Sequence, residues 1–298
     1  MNSWLNIYKP RGISSAHTVA MVKKAFREYK VGHTGTLDLE AEGVLPMAIG
    51  EATKLVSILI DAKKQYQFTV KFGAKTDTAD NSGKIIDSCE YIPTKKQCED
   101  ICAKFLGEIA QIPPAYSALK VNGVRAYKLA RDGKEVELKK RYIEIYDLQC
   151  IAYDESIGTA TYICVCSKGT YIRTLAEDIS LALQSLGYVI ELRRLRVGMF
   201  DMATAVNISN CATLTLQETK KLLLENCLKI ESVLDDIPVL EADETILQKI
   251  RFGQPCLFEG VADNELIWIR YNSRIVAIGS LISNNFKSSR VFNLNYGE

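Results

Sequence analysis

Gly32-His33-Thr34-Gly35-Thr36-Leu37-Asp38-Leu39-Glu40-Ala41-Glu42-Gly43-Val44-Leu45-Pro46 sets one short carboxylate, Asp38, inside a segment too rich in glycine and threonine to be a helix interior. Glycines at 32, 35 and 43 let the backbone take φ > 0 or approach a ligand closely. A carboxylate in such a loop ordinarily forms a turn or caps a helix. The basic and aromatic clusters elsewhere in the chain give Asp38 a second possible use.

Working outward, residues 4–8 read as a short strand and Pro10-Arg11-Gly12 as a turn. Ser14 or Ser15 caps a helix running to about Tyr29, with Val19, Val22, Ala25 and Phe26 on one face. Beyond the glycine-rich loop, residues 50–64 read as a second helix. Tyr66, Phe68, Val70 and Phe72 then alternate with Gln67, Thr69 and Lys71 as a strand. Residues 76–83 are polar turn material, and Thr94 with Gln97 makes a capping box for a helix through Leu106. Pro113-Pro114 interrupts regular structure, and a basic, tyrosine-bearing segment with an Asn122-Gly123 turn follows to Arg141. Strands are expected at 141–151, 159–166 and 189–197. Between the last two, residues 170–186 read as strand end into helix, and 215–227 read as an amphipathic helix. Pro238, flanked by acidic residues, marks a boundary before short strands at 266–271 and 275–280, which suggest a small β domain. Hairpin-like strands mixed with helices, without strict βαβ alternation, predict an α+β fold. Its central sheet is mixed, mainly antiparallel, and flanked by helices and loops.

A 298-residue chain with 47% hydrophobic and 24% charged residues can bury a full core and suggests about two domains. No apolar run is long enough to span a bilayer, and the first residues do not resemble a signal peptide, so a cytoplasmic location and no membrane partner are expected. The nine cysteines are scattered without C-x-x-C spacing, and with only His17 and His33 to help, no metal site is expected. Cys164 and Cys166 should share one strand face as buried thiols. Neither Gly-Lys-Ser/Thr nor Gly-x-Gly-x-x-Gly follows a strand, so no nucleotide cofactor is indicated. Net charge is only +1, yet basic residues cluster before His33, between Lys120 and Arg141, and at Arg193, Arg194 and Arg196, while acidic ones gather between Glu218 and Glu265. Such segregation can hold phosphates on a neutral chain.

Four more patches carry the same theme: Tyr8-Lys9-Pro10-Arg11-Gly12, Gly50-Glu51-Ala52-Thr53-Lys54, Ser167-Lys168-Gly169-Thr170-Tyr171-Ile172-Arg173-Thr174 and Leu192-Arg193-Arg194-Leu195. Together with the segment around Asp38, they make the chain resemble the bacterial tRNA pseudouridine-55 synthases of the TruB type, from about Leu5 to Val197. Two departures are Leu39, where that family usually has proline, and Glu42, where a small or hydroxyl residue is usual.

The resemblance implies a pseudouridine-synthase catalytic domain over 1–237, with an RNA-clasping insertion at 113–141, and a small PUA-like β domain over 238–298 that touches the tRNA acceptor arm. The acidic balance of that last segment argues against strong phosphate binding there. The implied reaction turns uridine in the T loop of tRNA into pseudouridine. No atoms are gained or lost and no electrons leave, so no cofactor is expected. Asp38 would be the nucleophile, since a carboxylate acts covalently if held ionised and aimed, and Arg173 would pair with it and fix its orientation. Tyr66 would stack on the flipped uracil, and Leu192 would add an apolar wall. His33 would insert where the extracted base had been, and Lys9 would support the site. Thr36, Tyr171, Lys120, Arg125 and Lys128 would contact the RNA by stacking, shape and phosphate recognition. The implied partner is tRNA, through its T arm and acceptor arm, and the enzyme is expected to act as a monomer. A non-catalytic tRNA-folding chaperone on the same scaffold is the alternative.

Overall fold

The computed structural model describes residues 1–295 except 115, 118, 122 and 134–137, and the side chains at 120, 127, 130 and 131 lie outside the description. Its frame is an eleven-stranded sheet. Along the main path the strands are Val206–Asn207, Ser3–Lys9, Ala41–Ile49, Gly187–Val197, Lys64–Phe72, Thr159–Cys166, Arg141–Asp154 and Gly107–Gln111. Val31–His33, Phe200–Asp201 and Cys227–Lys229 pair onto it from the side. Two pairings are parallel, Ser3–Lys9 with Val206–Asn207 and Ala41–Ile49 with Gly187–Val197; the others are antiparallel. The expected mixed, mainly antiparallel α+β architecture is therefore present.

The alternation in Lys64–Phe72 explains its place at the centre. Phe68, Val70 and Phe72 face a core with Tyr162, Cys164, Cys166, Leu175, Ala176 and Ile179, the last three supplied by helix Ile172–Ala182. Phe68 stacks on Tyr162 with centroids 5.4 Å apart. Each such side chain contributes about 1.5–3 kcal/mol of burial. Tyr66 and Leu192 pack at the border between this core and the one around Leu5, Val22, Phe26 and Leu45. That border is where the site opens. All nine cysteines are free thiols, with Cys164 and Cys166 both buried on one face of their strand.

Three local expectations need correction. The first helix is Ser15–Ala25, capped by Ser14, and stops four residues early because Phe26 leaves helical geometry to bury itself in the core. Residues 50–64 form a 3₁₀ turn, Gly50–Leu55, and a short helix, Val56–Asp61, after which Lys64 already opens the central strand. Residues 41–46 are strand rather than loop: Ala41–Ile49 pairs with Ser3–Lys9 on one side and with Gly187–Val197 and Val31–His33 on the other. Pro46 has no N–H to give, but its carbonyl accepts from Thr34 N at 3.2 Å.

Gly43 sits at the parallel junction with φ +113°, and a Cβ there would lie 2.2 Å from the Arg194 carbonyl oxygen. Gly43→Ala should therefore cost at least about 2 kcal/mol. This should be seen as a lowered thermal midpoint; an unchanged midpoint would mean the junction can open.

A second, five-stranded sheet runs Val239–Glu241, Asn264–Tyr271, Arg274–Ile282, Asn285–Val291, Cys256–Leu257, backed by helix Glu244–Arg251. Its Trp268, Ile275, Ile278 and the following Phe292 join Trp4, Leu55, Leu59 and Phe200 in one shared core. The Trp4 and Trp268 indole N–H groups are satisfied by the carbonyls of Ile230 and Ile237 at 3.0 and 3.1 Å. Among the described residues no helix is long and apolar enough to cross a membrane.

Candidate active site

The loop bearing Asp38 is pinned from beneath. Ser15 Oγ accepts from Leu37 N and donates to Leu37 O, both at 2.9 Å. Gly12 N donates to Leu39 O at 2.9 Å, and Ala41 N to Asp38 O at 3.2 Å. These ties hold the backbone on both sides of Asp38 without the ring of a proline at position 39, where Leu39 is exposed. Lys9 is fully buried below the loop, donating to Pro10 O at 2.9 Å and Ile13 O at 2.7 Å. It does not line the cavity described below. Burial lowers its ammonium to about 8. Between pH 8 and 10.5 the unfolded lysine then binds a proton that the folded one has lost, so stability rises with pH across that window. The stability of the native chain relative to Lys9→Met should grow there by up to about 1.4 kcal/mol per pH unit. A flat difference in denaturation midpoints would refute the assignment.

Arg173 arrives at the start of helix Ile172–Ala182. Its Nε meets Asp38 Oδ2 at 3.0 Å, with the arginine side chain 5% and the aspartate 44% exposed. Nη1 reaches Asp80 Oδ2 at 3.3 Å and donates to Thr78 O at 2.9 Å, while Nη2 donates to Tyr116 O at 2.9 Å. A guanidinium is a rigid fork of donors, and here every arm is engaged. Asp38 is thus held by a nearly buried cation while its carboxylate stays open to solvent.

That carboxylate opens into a cavity of about 460 Å³ lined by Thr36, Asp38, Lys64, Tyr66, Tyr171, Arg173, Leu192 and Arg194, among others. Tyr66, Leu192 and Arg194 come from adjacent strands: Tyr66 lies directly opposite Arg194 in the ladder, and Leu192 opposite Phe68. Burial raises the Tyr66 phenol, against the pull of the Arg194 charge. Tyr171 is fixed by a two-way clasp: its N–H donates to Gln111 Oε1 at 2.9 Å, and its carbonyl accepts from Gln111 Nε2 at 3.0 Å. Lys64 is buried with its ammonium on the carbonyls of Leu59, Ile60 and Ala62, the end of the preceding helix. Burial brings it down to about 8.

The remaining sequence candidates lie further out. His33 ends strand Val31–His33 and does not line the cavity. Its Nδ1 accepts from Gly35 N at 3.2 Å. Burial, then the Arg194 charge, holds its pKa below the usual histidine value. Arg125 and Lys128 are exposed on the short hairpin and helix after residue 119 and do not line the cavity. The Lys120 side chain and the turn at Asn122 lie outside the described residues. Glu42 is held by Tyr8 Oη, which donates at 2.6 Å, and by Arg193 Nε at 2.6 Å. Burial disfavours its charge, but these two partners outweigh it and lower its pKa.

Sequence reasoning missed Asp80, Lys64 and Arg194. Asp80 stood in a stretch that looks like ordinary turn material, and nothing local marks it as the second partner of Arg173. Arg194 did carry a signal: two residues from Leu192 on a strand, it falls on the inward face.

The sequence from 23 to 172 matches the model of the TruB family pseudouridylate synthase N-terminal domain, and 173–235 that of the tRNA pseudouridylate synthase B C-terminal domain. The chain is 61% identical over 295 residues to tRNA pseudouridine synthase B of Rickettsia bellii (strain OSU 85-389), with 99% of each chain covered. It is 55% identical over 294 residues to the protein of that name from Rickettsia akari (strain Hartford), covering 98% of this chain and 99% of the other. In the solved structure of an H/ACA RNP bound to a substrate RNA containing 2′-deoxyuridine, one chain superposes with a TM-score of 0.70. At 20% identity, over 98% of this chain and 85% of that one, it speaks for the fold alone. With the fold, two family models and near full-length relatives in agreement, the chain belongs to the TruB family of pseudouridylate synthases.

Proposed function

We propose that the chain isomerises uridine 55 in the T loop of tRNA to pseudouridine, with Asp38 as the nucleophile. The observation that carries this reading is the Asp38–Arg173 pair at 3.0 Å on the wall of a nucleotide-sized cavity. In the reaction the C1′–N1 bond breaks, uracil turns within the cavity, C1′–C5 forms, C5 loses its proton and N1 gains one. The carboxylate of Asp38 attacks the nucleotide covalently and is expelled again before the C1′–C5 product leaves, and Arg173 keeps it aimed. Tyr66 stacks on the everted base, Leu192 closes the apolar side, and Thr36 and Tyr171 contact the flipped nucleotide. His33 enters the gap left in the T loop. Lys9 acts from beneath, by holding the turn that carries Gly12.

Around this centre, residues 1–237 form the catalytic domain, and 113–141, with Lys120, Arg125 and Lys128, embrace the T arm through phosphate and stacking contacts. Residues 238–298 form a PUA-like unit set against the acceptor arm. The enzyme acts as a cytoplasmic monomer.

The test is a tRNA transcript carrying tritium at uridine C5, incubated with the purified chain. Tritium release with pseudouridine mapped to position 55 is expected. Tight binding without release would replace the enzyme by a tRNA-folding chaperone. Product at another position would remove the T-loop assignment.

A further inference from the structure

Arg194 is a buried cation that the proposed reaction above leaves without a task. Its side chain is folded inward from strand Gly187–Val197, and the residue is 2% exposed. Nε donates to Val44 O at 2.7 Å and Nη2 to Gly35 O at 3.1 Å. Nη1 lies 3.7 Å from the point where a Cβ on Gly35 would sit. Among the described residues no carboxylate stands within ion-pair distance of it, whereas Arg173 on the same cavity has two. Burying a guanidinium against carbonyl dipoles and the Tyr66 phenol, with no carboxylate, leaves a full charge uncompensated, which is costly unless a counter-charge arrives.

Two neighbours point the same way. Thr34 Oγ1, sealed in the wall of the same cavity, has no hydrogen-bond partner among the described residues. Lys64, also on that wall, adds a second buried cation, its ammonium hydrogen-bonded to carbonyls and its residue opposite Cys166 in the ladder. Among the described residues the one carboxylate lining the cavity, Asp38, is already matched by Arg173. The wall around Tyr66 therefore carries surplus positive charge.

We propose that Arg194 is an anion-receiving group on the cavity floor, taking an anionic oxygen of the bound nucleotide as its counter-charge. This rests on the nucleotide-isomerising reading above and deepens it. Two sources offer that oxygen. One is the phosphodiester next to the target uridine. The other is O2 or O4 of uracil once the C1′–N1 electron pair has moved onto the base. The cross-strand pairing of Arg194 with Tyr66 sets the guanidinium beside the phenol expected to stack on the base.

The experiment compares wild type, Arg194→Lys and Arg194→Gln in single-turnover pseudouridine formation and in filter binding of a T-arm stem-loop at several salt concentrations. If uracil is the source, Arg194→Gln should lose about 10²–10³-fold in rate, the scale of a lost oxyanion donor, with binding within about threefold. If the phosphodiester is the source, Arg194→Gln should bind more weakly, with a salt slope about one unit shallower. In that case a methylphosphonate at that linkage should weaken the wild type but not the variant. In either case Arg194→Lys, which keeps the charge but not the fork, should recover part of the loss. Equal failure of both variants would mark a structural fork and overturn the proposal, as would wild-type behaviour of Arg194→Gln. If the variants do not fold, ¹⁵N-arginine spectra of the wild type decide: the buried Arg194 side-chain signals should shift when stem-loop RNA binds, and unchanged signals would overturn the proposal. Since every arm is referred to a wild type that turns over, a wild type without turnover would instead sink the function itself.

Discussion

Asp38→Asn should abolish pseudouridine formation, by at least about 10⁴-fold in single-turnover rate, while tRNA binding stays within a few-fold of wild type. The substitution changes little except nucleophilicity. The amide oxygen can still accept from Arg173 Nε, which now sits 3.0 Å from Oδ2. The loop is held by backbone and Ser15 contacts that do not involve the side chain. With 44% of the side chain exposed, the altered group adds little desolvation cost, so stability should move by less than about 1 kcal/mol. Tritium release from C5 gives the rate and filter binding gives the affinity, so the two can be separated. Near-normal release from Asp38→Asn would end the nucleophile assignment. Lost binding would show that the carboxylate serves RNA docking instead.

How far the fold could be read in advance varied with how local its cause was. The strand carrying Tyr66 follows from period-two alternation, and the caps at Ser14 and Thr94 are local hydrogen-bond chemistry. The strand Ala41–Ile49 was hidden because Gly43 and Pro46 both argue against a strand. Gly43 is needed because the Arg194 backbone passes too close for a Cβ, a tertiary fact that no window of sequence contains. Strand Asn285–Val291 was equally silent, since its sequence is mostly polar and Phe286 alone of it is buried. At the site, the meeting of Asp38 with Arg173 was legible through resemblance to a family. Asp80 was not, because a turn aspartate looks the same whether or not an arginine from a distant helix lies above it. Arg194 and Lys64 were overlooked for the opposite reason. Basic residues near strand ends suggest a solvated surface, and here both point inward.

Arg173 is the side chain whose loss should do the most combined damage. Its removal takes the shared cation from two carboxylates, Asp38 and Asp80, leaving Asp80 only its Thr78 and Ser82 donors, and takes a donor from the carbonyls of Thr78 and Tyr116. Breaking one partner out of a buried ion pair costs about 3–5 kcal/mol. Arg173→Met should therefore lower the denaturation midpoint sharply and abolish turnover. That outcome alone would not distinguish a misfolded chain from a disarmed one, and Arg173→Lys makes the distinction. An ammonium keeps the charge but cannot reach along Nε, Nη1 and Nη2 at once, so it can satisfy Asp80 and the carbonyls or Asp38, not all of them. The lysine variant should fold with a smaller loss, about 1–2 kcal/mol, and still be slower by at least about 10²-fold, because Asp38 is no longer aimed. Adding Asp80→Asn removes the competing carboxylate and should return part of the rate to the lysine variant, a coupling that independent sites would not show. If Arg173→Lys turns over like wild type, fork geometry has no bearing on the chemistry. If Asp80→Asn slows the lysine variant further, Asp80 orients the cation toward Asp38 instead of competing for it.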